Sequence, residues 1–222
     1  MTLDEIYYYF SKHLTLSNCD ILFTGVTGAG KSTTLNSIFG KPIAKVGEGV
    51  DPETLEISSY KFQKNIRLWD SPGLGHGVEE DKIHSKKIID MLKKTNSYKN
   101  KNFTFIDYVV VIIEGSKKDL GTTYKLLNEV ILPNFNPERI FIAINQADQS
   151  MKGRFWNYTT NEPELELINY LEDLSISIQN RIYESTKILI KKPIYFSAMH
   201  NYNIELFLET LIKNIPYKPN YI

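Results

Sequence analysis

Apolar positions fall along this sequence in short unbroken runs separated by stretches with helical spacing. Leu3, Ile6, Tyr7, Phe10 and Leu14 recur at helical intervals and predict a short amphipathic helix, either packed on a domain edge or meeting a partner or membrane. The run CDILFTG (19–25) is apolar and ends in glycine, which predicts a buried strand. A helix over 31–39 follows, stopped by Gly40 and Pro42, and 40–54 reads as a loop. Residues 57–62 and 66–69 predict a β-hairpin around a Lys64-Asn65 turn. Glycine-rich 71–77 reads as a flexible loop, and Ile83, Ile88, Ile89 and Leu92 predict a helix running to Lys94. The polar stretch 95–103 predicts no regular element. Further on come a strand over 105–113, a helix over 120–132 closed by Pro133, and a strand over 139–145. A long helix over 163–187 with Asn161 as its cap, a strand over 193–198 and a helix over 204–215 complete the series, before a tail holding Pro216 and Pro219.

Continuous apolar strands alternating with helices predict an α/β fold in three layers: a mostly parallel sheet covered on both faces, with one antiparallel edge strand from the hairpin. No internal repeat, low-complexity tract or linker interrupts the series. The expected organisation is therefore one domain over 1–222: an N-terminal helix (1–16), a core (17–215) and a tail (216–222). At 222 residues, 42% hydrophobic and 23% charged, the chain can bury a large core. Its 26 basic and 26 acidic side chains cancel, so global charge points to neither nucleic acid nor anionic membrane. Cys19 is the single cysteine, which leaves no intramolecular disulfide. No apolar run approaches the ~18 residues of a membrane span, and MTLDEIYYYF has no basic segment leading an apolar one. The expectation is a cytoplasmic protein with no membrane span.

Three motifs carry chemistry, each at the end of a predicted strand. The first, Gly25-Val26-Thr27-Gly28-Ala29-Gly30-Lys31-Ser32, fits GxxxxGK[ST]. Its glycines let backbone N–H groups converge on phosphate oxygens at a helix N-terminus. Lys31 is placed to reach the β- and γ-phosphates and Ser32 to ligate Mg²⁺; Gly25, Thr27, Gly28, Ala29, Gly30 and Thr33 complete the cradle. In the second, Asp70-Ser71-Pro72-Gly73, Asp70 stands at a strand's C-terminal end, where it can hold the Mg²⁺ shell, and the Gly73 N–H can meet the γ-phosphate. The third is Asn145-Gln146-Ala147-Asp148. A carboxylate there accepts from guanine's N1–H and exocyclic amino group, a donor pair that adenine lacks; Asn145 contacts the base's other edge or braces the phosphate loop.

In this order, GVTGAGKS, DSPG, NQAD and Ser197-Ala198 resemble the translation-factor-related P-loop GTPases, and most of all the Era-like, ribosome-binding-GTPase group of G domains, over roughly residues 17–215. The resemblance implies a P-loop GTPase fold and a switch that binds GTP and GDP with Mg²⁺ and hydrolyses GTP. It also implies that the Ser197-Ala198 backbone supports the guanine oxygen. A switch-I threonine on Mg²⁺ and the γ-phosphate is implied as well, and Thr54 is the only threonine between Thr34 and Thr95. Ribosomal RNA enters as a partner through this analogy alone.

Two positions depart from the family pattern. Gln146 stands where most relatives carry a lysine over the base, which puts affinity in doubt. Leu74 stands where Ras-type enzymes carry a water-orienting glutamine. His76, in the glycine-rich loop, is the alternative water-orienting candidate against a merely solvated residue. Three functions stay open: a slow GTPase switch raised by an activator or a nucleotide-dependent homodimer, a nucleotide-gated assembly module with negligible turnover, and an ATPase or kinase, which NQAD opposes. The segment SMKGRFWNY (150–158) reads either as an RNA or partner contact or as aromatics packed under a loop.

Overall fold

The computed structural model describes residues 19–44, 56–63, 65–98, 101–117 and 120–215. The expected N-terminal helix, most of the 40–54 loop and the proline tail lie outside these residues. In chain order the first elements are β1 (Cys19–Gly25), α1 (Lys31–Phe39), β2 (Ser58–Gln63), β3 (Ile66–Asp70), α2 (Val78–Lys93), β4 (Thr95–Tyr98), β5 (Lys101–Thr104) and β6 (Tyr108–Glu114). They continue with α3 (Gly121–Lys125, prolonged by a π-helical segment Leu126–Ile131), β7 (Ile140–Asn145), β8 (Trp156–Asn157), β9 (Glu162–Pro163), α4 (Leu165–Thr186), β10 (Ile194–Tyr195) and α5 (Ile204–Asn214).

Six strands form the central sheet in the order β10-β7-β6-β1-β3-β2. Every pairing is parallel except that of β2 with β3. The expected parallel sheet with one antiparallel edge strand is therefore present. Alternation along each strand sorts the core into two layers. Ile21 and Phe23 of β1, Tyr108, Val110 and Ile112 of β6, and Phe141 and Ala143 of β7 face α1 and α5. Leu22, Val109, Val111, Ile113, Ile142 and Ile144 face α2, α3 and α4 on the other side. A strand covered on both faces cannot alternate polar with apolar, which is why the middles of these strands are continuous apolar runs.

Local expectations fail where apolar periodicity is silent. Within 95–103, expected to be irregular, residues 95–98 and 101–103 belong to the antiparallel pair β4–β5, which joins Thr95 with Thr104 and Asn96 with Phe103. Its side chains are mostly exposed, so no buried face marks it in sequence. Asn161 does not cap the long helix: it takes φ 56° in the turn between β8 and β9, and α4 begins at Leu165 without a side-chain cap. The last strand is shorter than 193–198, because after Tyr195 the chain turns and Ser197 pairs with Tyr202. In α3 the Leu132 N–H bonds the Leu127 carbonyl, five residues back, and the wider turn keeps Leu126, Leu127, Val130 and Ile131 buried. Among the described residues no helix is long and apolar enough to cross a membrane.

Candidate functional site

Parallel strands present their C-terminal ends on one edge, so the segments following β1, β3, β7 and β10 meet in one crevice. The loop after β1 turns on Gly28 and Gly30, with φ values of 81° and 84°, which L side chains rarely adopt. A Cβ on Gly30 would also run into the Asn145 amide. Lys31 opens α1, is buried, and donates to the carbonyls of Gly25 (3.3 Å) and Val26 (3.1 Å). Burial lowers its pKa to about 8, opposed by the Asp70 carboxylate.

Ser32 Oγ donates to Asp70 Oδ2 at 2.8 Å, joining the first motif to the second. Asp70 is 1% exposed, and its Oδ1 has no hydrogen-bond partner among the described residues. Burial raises its pKa, against the opposing pull of Lys31 and Ser32. An oxygen that is buried and unpaired beside a hydroxyl fits a hard divalent cation that keeps most of its shell from water and phosphate. No group of three or more His, Cys, Asp or Glu ligands occurs among the described residues.

The loop after Asp70 lies against the phosphate loop. Thr27 N–H donates to the Leu74 carbonyl at 2.7 Å, and a Cβ on Gly73 would stand 2.6 Å from the Thr27 nitrogen. The Leu74 side chain is buried in the core layer that holds α2. Asp81 Oδ1 accepts the Gly75 and His76 N–H groups at 2.7 and 3.3 Å. His76 is half-buried, with Nε2 enclosed and unpartnered among the described residues. Thr54 lies outside the described residues. Sequence reasoning passed over His84 on α2, whose Nδ1 lies 2.9 Å from the Gly73 carbonyl.

At the other end of the crevice, a cavity of about 560 Å³ is lined by Gly30, Thr33, Asn145, Asp148, Gln149 and His200, among others. Asn145 donates to the Ala29 carbonyl (2.9 Å) and accepts the Ala198 N–H (3.0 Å), tying three loops together. Gln146 donates to the Gly28 carbonyl at 2.7 Å, so its shorter stem still reaches the phosphate loop. Asp148 accepts from Ser197 Oγ at 2.6 Å. The Ser197 and Ala198 N–H groups are engaged by Tyr202 and Asn145 respectively. In the 150–158 segment Trp156 is buried, its ring 5.4 Å from both His200 and Tyr202, while Lys152 and Arg154 stay exposed.

Residues 20–152 match the 50S ribosome-binding GTPase family. The chain belongs to that family. It is 31% identical over 112 residues to "Probable GTP-binding protein EngB" of Thermosipho africanus, an alignment covering 50% of this chain. The chain thus spans 54%, about half, of that relative's length. Among solved structures, Toc33 of Arabidopsis thaliana with Mg²⁺ and GMPPNP superposes with a TM-score of 0.67 at 15% identity, covering 99% of this chain and 94% of the other. Era bound to MgGDPNP and a piece of 16S ribosomal RNA superposes at 0.60 and 13% identity, covering 90% and 57%. At these identities the likenesses establish the P-loop GTPase fold, and the family match carries the GTP-binding reading expected from the motifs.

Proposed function

We propose that residues 17–215 act as one G domain that binds GTP and GDP with Mg²⁺, selects guanine through Asp148, and hydrolyses GTP slowly as a molecular switch. The observation that carries this reading is the buried Ser32–Asp70 pair with one unsatisfied Asp70 oxygen, directly beside Lys31. Ser32 and Asp70 would hold Mg²⁺, which would supply positive charge to neutralise the phosphates. Lys31 leaves the Gly25 and Val26 carbonyls to pair with phosphate. N–H groups of the loop other than those of Thr27 and Ala29, which bond Leu74 and Val26, cradle the phosphate oxygens, and the carboxylate of Asp148 receives the guanine donors. The contact between Thr27 and Leu74 supports switching, since a γ-phosphate arriving at the loop must meet Gly73 and, through His84, α2.

Leu74, at the place of the Ras-type glutamine, is turned into the core and carries no hydrogen-bonding group. Unassisted turnover on the order of 10⁻⁴ to 10⁻² per second is expected. Dimerization is important for the GTPase activity of the chloroplast translocon components atToc33 and psToc159. By analogy, a second copy or a protein activator docking across the crevice supplies the missing group here. Single-turnover hydrolysis across a wide protein-concentration range tests both points. Turnover that rises with concentration supports a second copy. Fast turnover in dilute protein would show that a residue of this chain, His76 foremost, already completes the site. Nucleotide binding without turnover at any concentration would leave the assembly module.

A further inference from the structure

Asp148 lines the base cavity yet is only 2% exposed. Something covers its carboxylate. From beneath, Ser197 Oγ donates to Oδ1 at 2.6 Å. From the cavity side, Gln149 Nε2 donates to Oδ2 at 2.7 Å, and His200 Nε2 stands 3.8 Å from the same oxygen. The serine is compatible with a bound base, because a carboxylate has about four lone-pair sites and Ser197 is buried away from the opening. The glutamine is not: its amide sits where an incoming donor must approach. Gln149 itself is exposed, so its side chain can swing into solvent without disturbing the core.

We propose that Gln149 is a built-in competitor at the base site, its side-chain amide standing in for the donors of guanine until the nucleotide displaces it. The inference rests on the reading of Asp148 as the guanine-selecting carboxylate. A neutral amide on a carboxylate satisfies the buried charge while the site is empty, which guards the fold against an unpaired Asp148. The same bond must break before guanine binds, so Gln149 slows association and leaves dissociation untouched. A residue that held the base would do the opposite.

The test uses the full chain and a fluorescent GDP followed by stopped flow, with Mg²⁺ present. Gln149→Met keeps the stem and removes the donor; Gln149→Ala removes both. Each is also made in a His200→Ala background, so that the imidazole cannot take over the freed oxygen. Losing one competing hydrogen bond should speed association about fivefold, with dissociation changed by less than about twofold. Binding by the unaltered chain with unchanged association in both variants, or with faster dissociation, overturns the role of Gln149 and leaves the assignment of Asp148 standing. No binding of the guanine probe by the unaltered chain overturns both.

Discussion

At the N-terminal ends of the central strands, Asp20 is buried and both its oxygens are used. Arg67 Nε and Trp69 Nε1 donate to Oδ1 at 2.6 and 2.7 Å, and a second Arg67 nitrogen reaches Oδ2 at 3.3 Å. The Asp20 N–H in turn bonds Asp107 Oδ2, and Arg139 donates to the Asp107 carbonyl. At the opposite ends of the same strands, Asp70 is as deeply buried but keeps one oxygen unpaired, Lys31 is folded onto backbone carbonyls, and the Thr27 hydroxyl has no partner among the described residues. Both clusters remove charge from water, and only one closes the account. Desolvated groups left unsatisfied cost on the order of 1–3 kcal/mol each, a strain that persists where a ligand later satisfies it. Burial of polar residues is thus no mark of a site, and neither is one unsatisfied atom, since Tyr108 buries a hydroxyl without a partner among the described residues. What sets the crevice apart is an unpaired carboxylate oxygen beside Ser32 and a buried lysine.

The sharpest way to break this contrast is to alter one residue at each end. Lys31→Ala should lower Mg²⁺-GTP affinity by a factor on the order of 10³ while shifting the unfolding midpoint little, because it removes a phosphate contact along with a desolvated charge. Calorimetry showing unchanged affinity would remove the phosphate loop from the site. Asp20→Ala should do the reverse, costing about 2 kcal/mol of stability, with the figure held down by the partial exposure of Arg67. Nucleotide affinity should stay as it was; a matching loss of binding would show that the two ends are coupled.

Asp148→Asn should shift preference from GTP toward XTP by about 1–3 kcal/mol, since it replaces an acceptor oxygen with an amide donor that suits the xanthine carbonyl. Competition between the two nucleotides measures it, and an unaltered ratio would take Asp148 out of base recognition. The gentlest test is pH. Lys31 has a pKa of about 8 in the empty site, below its ordinary value of ~10.4. Its charged form therefore penalises the empty fold below pH 8, and that penalty fades as pH rises through 8 toward 10. Holding phosphate requires the charged form, so binding takes up a proton above pH 8. Affinity should then fall by up to about tenfold per pH unit between 8 and 10. Lys31→Ala should flatten that slope, and calorimetry in buffers of different ionisation heat counts the proton.

Much of this site was legible before any coordinates. The loop expected to cradle phosphate rests on glycine conformations and a helix start, all encoded within the eight residues 25–32. Asp70 ends an apolar run and Asp148 follows three residues after another, and parallel strands bring such ends to one edge whatever the loops do. The exposed β4–β5 hairpin was not legible, having no buried face to impose a period. Nor was the π-helical segment of α3, whose hydrogen-bond register depends on what the helix packs against.

Hydrophobic pattern and motif spacing by themselves determined the layered sheet, the edge on which the chemistry gathers and the class of ligand. Tertiary structure alone decided which polar atoms end up satisfied. Gln146 meets Gly28 across 118 positions, Asp148 meets Ser197 across 49, and Asp70 meets Ser32 across 38. Even the Gln149–Asp148 contact, between neighbours in sequence, forms because the cavity wall turns both side chains to one opening. A sequence states which donors and acceptors exist. Whether a buried oxygen is left over depends on the distances between segments that only the folded chain brings together.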